Sequence, residues 1–249
     1  VGITPARYLD TRGGSDTTFD GAFSGGGVVY GTTKTVQIAG RGNVAAGAKA
    51  AFINLTVVNN STLPGFVTVY PCDAPRPTAS TLNVGAYGVV ANGAMVKLAA
   101  DGTLCLFSST LNYLVVDVTG YVPAGSDSIS PLVPSRLFDS RAGEPIVDGV
   151  GAGPRLAAGS TVEVQVTGRV NIPVTATAAF LNVVVVSPDG PGFATLYPCG
   201  TLPGTSSVNY TTGTIVANNA TTMLSPTGSV CIYVMRGTDV VLDVTGYIE

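Results

Sequence analysis

The chain has 249 residues, with 32 Gly, 16 Pro, 4 Cys, no His and no Trp; only 11% are charged and the net charge is −3. Without an imidazole it has no Ser-His-Asp triad and no histidine proton shuttle near neutral pH, and a typical zinc site would need several thiolates. Scarce Lys and Arg and a pI near 4.8 set it apart from proteins that hold phosphate backbones, so nucleic acid is not expected as a partner.

Mean hydropathy is +0.41, yet no apolar run approaches the roughly 18 residues of a membrane span. The longest runs, such as Leu114-Val115-Val116 and Val183-Val184-Val185-Val186, have strand length, and no membrane insertion is expected. The first residue is Val1 rather than Met, which reads as a processed or trimmed start.

In chain order, the first marked segment is Pro5-Ala6-Arg7-Tyr8-Leu9-Asp10-Thr11-Arg12. The loop from Gly13 to Asp20 carries Asp16, Asp20 and many carbonyls, groups of a type that suits calcium. Its spacing matches no calcium loop and its counterpart around Asp148 differs, so no metal or other cofactor is expected. Thr35-Val36-Gln37-Ile38, Phe66-Val67-Thr68-Val69-Tyr70 and Leu104-Cys105-Leu106-Phe107 alternate or run apolar, are rich in β-branched residues and read as strands. Asp101-Gly102 reads as a hairpin turn. Val115-Val116-Asp117-Val118-Thr119-Gly120-Tyr121 closes this half; Gly120 is expected to permit a bend after the last strand, with Tyr121 covering an edge.

The same order then returns. Pro134-Ser135-Arg136-Leu137-Phe138-Asp139-Ser140-Arg141 repeats the first segment, and Ala179-Phe180-Leu181-Asn182 repeats Ala51-Phe52-Ile53-Asn54. Pro191-Gly192-Phe193 and Tyr197-Pro198-Cys199 repeat Pro64-Gly65-Phe66 and Tyr70-Pro71-Cys72, and Val216-Ala217-Asn218 repeats Val90-Ala91-Asn92. Thr227-Gly228 repeats the turn, and Val241-Leu242-Asp243-Val244-Thr245-Gly246-Tyr247 repeats the ending. This is a tandem duplication. The expected organisation is all-β: two antiparallel β-sandwich repeats over 1–122 and 132–249, joined by a Pro/Ser/Gly linker over 123–131. A β-barrel is the alternative topology.

Cys72 and Cys105 lie 33 residues apart, Cys199 and Cys231 32. Four cysteines allow three connectivities; matched placement in both copies favours Cys72 with Cys105 and Cys199 with Cys231. Such bridges place the protein outside the cytosol, secreted or at the cell surface.

In so charge-poor a chain the recurring charges call for a reason. Arg7, Asp10, Arg12 and Asp117 return as Arg136, Asp139, Arg141 and Asp243. A planar guanidinium holds a carboxylate by two bonds, so the expected role is a structural network pinning the first segment to the last strand. The functional alternative is that these arginines bind an anionic ligand such as an acidic sugar. Tyr70 and Tyr197 are expected beside the disulfides, with Tyr87, Tyr113, Tyr210 and Tyr233 as further aromatics for a sugar platform. Catalysis has only carboxylates within reach, and the three Glu are Glu144, Glu163 and Glu249; no catalytic residue is assigned. Asn54, Asn59, Asn60, Asn209 and Asn219 each begin an Asn-x-Ser/Thr triplet.

The paired Pro-Ala/Ser-Arg and Asp-Thr/Ser-Arg starts and the Asp-Val-Thr-Gly-Tyr endings resemble a repeat module of secreted and surface proteins of actinobacteria. The resemblance covers essentially the whole chain and implies an exported accessory module of β architecture, with no agreed activity or ligand. Only Arg7, Asp10, Arg12, Asp117, Tyr121 and their second-copy equivalents match its signatures. The expectation is thus a non-catalytic binding or adaptor protein presenting two sandwiches to a surface glycan or an exported protein, for instance by β-augmentation. A head-to-tail fibre or coat subunit is the alternative, followed by a carboxylate-dependent glycan hydrolase or lyase.

Overall fold

The computed structural model describes every residue except 15 and 16. The chain divides into two compact units, Val1–Asp127 and Ser128–Glu249. In the first, β1 (Gly2–Asp10), β8 (Asn112–Val122), β3 (Ala50–Asn59) and β6 (Val89–Lys97) form one sheet in that order. The second sheet of that unit runs β2 (Thr33–Gln37), β7 (Thr103–Ser108), β4 (Gly65–Pro71), β5 (Leu82–Val84). The other unit repeats this order with β9 (Ile129–Asp139), β16 (Asp239–Ile248), β11 (Ala178–Val186) and β14 (Ile215–Met223) against β10 (Thr161–Gln165), β15 (Ser229–Val234), β12 (Gly192–Pro198) and β13 (Val208–Tyr210). Each unit is an antiparallel β-sandwich. Ile129–Pro131, given to the linker on sequence grounds, are the first residues of β9 and pair with the end of β16.

Period-two alternation builds each core. In β3, Ala51, Ile53, Leu55 and Val57 enter the core while Phe52, Asn54, Thr56 and Val58 face away. In β11 the core members are Ala179, Leu181, Val183 and Val185. Both disulfides form as the duplication implied, Cys72–Cys105 and Cys199–Cys231. They join strands of one sheet rather than the two layers: Tyr70 pairs with Cys105 across β4 and β7, and Tyr197 with Cys231 across β12 and β15. Leu104 and Leu106 face the core, so Cys105 between them faces away from it.

Two local expectations are corrected. Asp101-Gly102 does turn the chain, with the Gly102 N–H donating to Ala99 O at 2.8 Å, but β6 and β7 belong to different sheets. It is an arch between layers and not a hairpin, and Thr227-Gly228 does the same between β14 and β15. Gly120 and Gly246 do not bend the chain after the last strand. They lie inside β8 and β16, where Phe52 pairs with Gly120 but Ile53 with Val118, leaving Thr119 as an extra residue; Thr245 is extra in the second copy. These are β-bulges. Each bulged threonine donates its hydroxyl across the strand, Thr119 to Phe52 O at 3.2 Å and Thr245 to Phe180 O at 3.3 Å. A Cβ on Gly120 would stand 2.8 Å from Val1 O, which is why the residue after the bulge carries none. Tyr121 and Tyr247 pack against their cores.

Candidate functional site

The recurring charges come together in both units, and a bulge in the first strand puts them there. Residues three apart in a regular strand face opposite sides. In β1, Arg7 pairs with Asp117 but Leu9 with Val116, so Tyr8 is extra; in β9, Leu137 is the extra residue between Arg136 and Phe138. Tyr8 and Leu9 both enter the core as a result, as do Leu137 and Phe138, and Arg7 and Asp10 share the outer face. Arg7 Nε donates to Asp117 Oδ1 at 2.9 Å and Nη1 to Asp10 Oδ2 at 3.3 Å. Arg12 closes on the other side of Asp10, with Nε at 2.9 Å, Nη2 at 2.7 Å and its own backbone N–H at 3.0 Å.

The second copy repeats the arrangement, with Arg136 Nε to Asp243 Oδ1 at 3.0 Å, Arg136 Nη1 to Asp139 Oδ2 at 3.0 Å, and Arg141 to both oxygens of Asp139. It differs at the last strand, where Arg7 Nη2 also reaches Asp117 Oδ2 at 3.3 Å but Asp243 Oδ2 is buried without a hydrogen bond among the described residues. Asp10 and Asp139 are fully enclosed. The Arg12 hydrogen bonds hold the Asp10 carboxyl below the usual carboxylate range. The Nε–Nη2 edges of Arg12 and Arg141 are thereby taken by Asp10 and Asp139.

A second repeated pair went unread in the sequence. Arg41 grips Asp20 with Nε at 2.9 Å and Nη2 at 2.6 Å, and also donates to Tyr8 O and Gln37 O. Arg169 grips Asp148 with two bonds of 2.7 Å and donates to Leu137 O, Gln165 O and Val150 O. Asp20 and Asp148, whose loops differ in sequence, thus share one role. The available signal was Gly40-Arg41-Gly42-Asn43 against Gly168-Arg169-Val170-Asn171. In the first unit the guanidinium also lies near the Tyr8, Phe19 and Phe23 rings, 4.7–5.1 Å from their centres. With both Asp20 oxygens on Arg41, the calcium reading of the Gly13–Asp20 loop loses one of its two carboxylates; the other, Asp16, lies outside the described residues. Among the described residues no three His, Cys, Asp or Glu side chains are grouped to hold a metal.

Of the glutamates weighed for catalysis, Glu144 lies 3.8 Å from Arg141 and Glu163 accepts the Ser229 hydroxyl. Tyr70 and Tyr197 sit beside the disulfides as expected. Of the Asn-x-Ser/Thr triplets, Asn59 is buried and Asn60 is exposed on a loop.

The two units part company at the end where the β3–β4, β5–β6 and β7–β8 loops meet. In the first unit the Tyr87 N–H donates to Ser61 O at 3.0 Å and the Asn60 N–H to Leu111 O at 2.7 Å. Asn59 Nδ2 holds Leu63 O and Gly85 O at 2.8 Å each. The Gly31 N–H donates to Ser108 O at 2.8 Å, which brings Tyr30 to the same end. Tyr30, Leu63 and Tyr87 are 61%, 64% and 66% exposed. The equivalent bonds in the second unit are Gly213 N–H to Pro188 O at 2.9 Å and Asp189 N–H to Gly237 O at 2.9 Å. Tyr87 and Leu111 are therefore replaced there by glycines. Arg155 ties that end with ion pairs of 2.8 Å to both Asp189 and Asp239.

No family model and no curated protein matches the chain. Among solved structures it is similar to the N-terminal CBM22-1-CBM22-2 tandem domain of Paenibacillus barcinonensis Xyn10C, at 11% identity and a TM-score of 0.27, with 100% of both chains covered. A likeness of that size carries no argument about ligand or activity.

Of this loop end only Tyr87 stands among the aromatics read from the sequence for a sugar platform; Tyr30, Leu63 and Leu111 were missed because they lie far apart in the chain and none belongs to a repeated motif. The signal that marks it is a failure of repetition: aligned copies place Gly213 against Tyr87 and Gly237 against Leu111.

Proposed function

We propose that this is a non-catalytic binding protein that works outside the cell, built from two sandwich units that present loops to a surface polymer or an exported protein. Two disulfides fit an oxidising compartment. The clamps of Arg7, Asp10, Arg12 and Asp117, and of Arg136, Asp139, Arg141 and Asp243, serve in this reading as structural pins, since every arginine in them faces a carboxylate.

One observation carries the reading. Core, disulfide and clamp repeat, while the loop end changes from Tyr30, Leu63, Tyr87 and Leu111 in one unit to an Arg155-Asp189-Asp239 cluster in the other. Rigid sandwiches keep a fixed scaffold and carry recognition on their loops, so a loop end that changes while disulfide and clamp repeat is what separate binding tasks produce.

The test is binding of the intact protein to isolated surface polymers and to exported proteins, measured for the native chain and for a chain with Tyr87→Gly and Leu111→Gly. The expected result is binding to at least one class that the double substitution weakens. Binding to neither class would refute the reading.

A further inference from the structure

Tyr87 adopts φ of +51° with its ring in solvent. The left-handed region costs a side-chain-bearing residue about 1 kcal/mol and costs glycine nothing. The second unit shows the unstrained solution: Gly213, at the same place with the same hydrogen bond, has φ of +69°. The first unit thus holds a large ring in a conformation that suits glycine, and gains no core packing from it. Backbone strain of this kind persists where a site needs a side chain held in place. Gly85, Ala86 and Gly88 beside it carry too little side chain to cover the ring faces.

Charge narrows the occupant. Residues 28–32, 60–64, 85–88 and 109–111, which meet at this end, include no Asp, Glu, Lys or Arg. A charged polymer finds no counter-charge in them. Size narrows it further, because these segments hold fewer than twenty residues, against roughly 20–30 a side in a standard protein–protein interface. Tyrosine offers a flat apolar face with a polar tip, and the exposed side chains of Thr32, Asn60 and Thr62 put hydrogen-bonding groups around it. That combination matches a sugar ring, whose C–H face is apolar and whose edge carries hydroxyls.

The geometry points to a glycan-binding platform centred on Tyr87, with Tyr30, Leu63 and Leu111 around it, that takes an uncharged pyranose polymer in the first unit alone. This rests on the proposed binding function and names its ligand class.

The experiment is affinity electrophoresis of the whole chain through gels containing a soluble neutral β-glucan, a soluble mannan or the anionic polygalacturonate. Retardation is expected in at least one neutral gel and not in polygalacturonate. Tyr87→Gly should weaken that retardation about ten-fold or more, equal to ~1.4 kcal/mol, with an unchanged or higher melting temperature, since Gly213 occupies the same conformation. Tyr87→Phe, which keeps the ring face, should retain most of it. Retardation in a neutral gel that ignores Tyr87→Gly would overturn the platform and leave the binding function standing. Retardation only in polygalacturonate would overturn the ligand class. No retardation in any gel would overturn the platform, and the exported-protein arm of the earlier test would then decide the binding function separately.

Discussion

Thr11 Oγ1 accepts the backbone N–H of Leu114 at 2.9 Å, and Ser140 Oγ accepts that of Val240 at 2.8 Å in the second unit. The hydroxyl of the Asp-Thr/Ser-Arg segment thus occupies a place in the ladder of the closing strand, where the acceptor would otherwise be a backbone carbonyl. Thr11 is fully buried, so Thr11→Val, which keeps the shape and removes the oxygen, leaves the Leu114 N–H without a partner. The expected loss is about 1–3 kcal/mol in denaturant unfolding, with Thr11→Ser near native. A Thr11→Val chain of native stability would show that water replaces the hydroxyl.

The clamp predicts an asymmetry between its members. Asp139 is fully enclosed and accepts from both Arg136 and Arg141, whereas the Arg141 side chain is one-third exposed. Asp139→Ala leaves Arg136 buried with one carboxylate fewer, and removing one partner of a buried pair costs about 3–5 kcal/mol. Arg141→Met, at the rim, should cost on the order of 1 kcal/mol. Chemical denaturation of both variants checks the order; equal losses would contradict the geometry.

Much of the fold was legible because the chain states it twice. Strand alternation, the antiparallel sandwich class and the disulfide pairing all follow from repetition with period-two patterning. What was misread depended on contacts remote in sequence. Asp101-Gly102 shows that the chain reverses but not which sheet receives it, and that choice is made by packing of β7 beside β2 and β4. The bulge at Thr119 leaves no mark except the glycine after it, which also suits a bend. Arg41 and Asp20 are separated by 20 residues that include β2, and the Gly-Arg-x-Asn run shared with Arg169 does not point to the aspartate it binds, so the pairing emerges only when the chain is folded. The clamp was the reverse case, since its members stand in the conserved-looking ends of both copies.

Acid should weaken the second unit through Asp148. Two hydrogen bonds from Arg169 are the largest cause holding this carboxyl at about 2, against an ordinary 3.8. A folded-state pKa below the unfolded one means the carboxylate stabilises the fold fully above pH ~4, and that contribution is lost as pH falls toward ~2. Asp10 and Asp20 are displaced in the same direction by Arg12 and Arg41, so the first unit should follow the same trend. Asp148→Asn should flatten the stability–pH slope between pH 4 and 2 while lowering stability at pH 7. A slope identical to the native chain's would remove Arg169–Asp148 as its source.

Breaking one disulfide should have a large and local effect. Cys72–Cys105 encloses β5 and β6 and ties β4 to β7 within one sheet. A loop of 33 residues corresponds to about 3–4 kcal/mol in the chain-entropy account. The Cys72→Ala, Cys105→Ala double variant should therefore lose that much, and the Cys199→Ala, Cys231→Ala variant a similar amount, because the second loop spans 32 residues. The bridge does not cross between layers, so the two sheets still have their apolar faces to hold them together. Hydrogen exchange should accordingly rise first in β4, β5 and the loop over residues 73–80, with β3 and β8 protected longest. Uniform loss of protection across both sheets would mean that the bridge governs the whole sandwich rather than one of its layers.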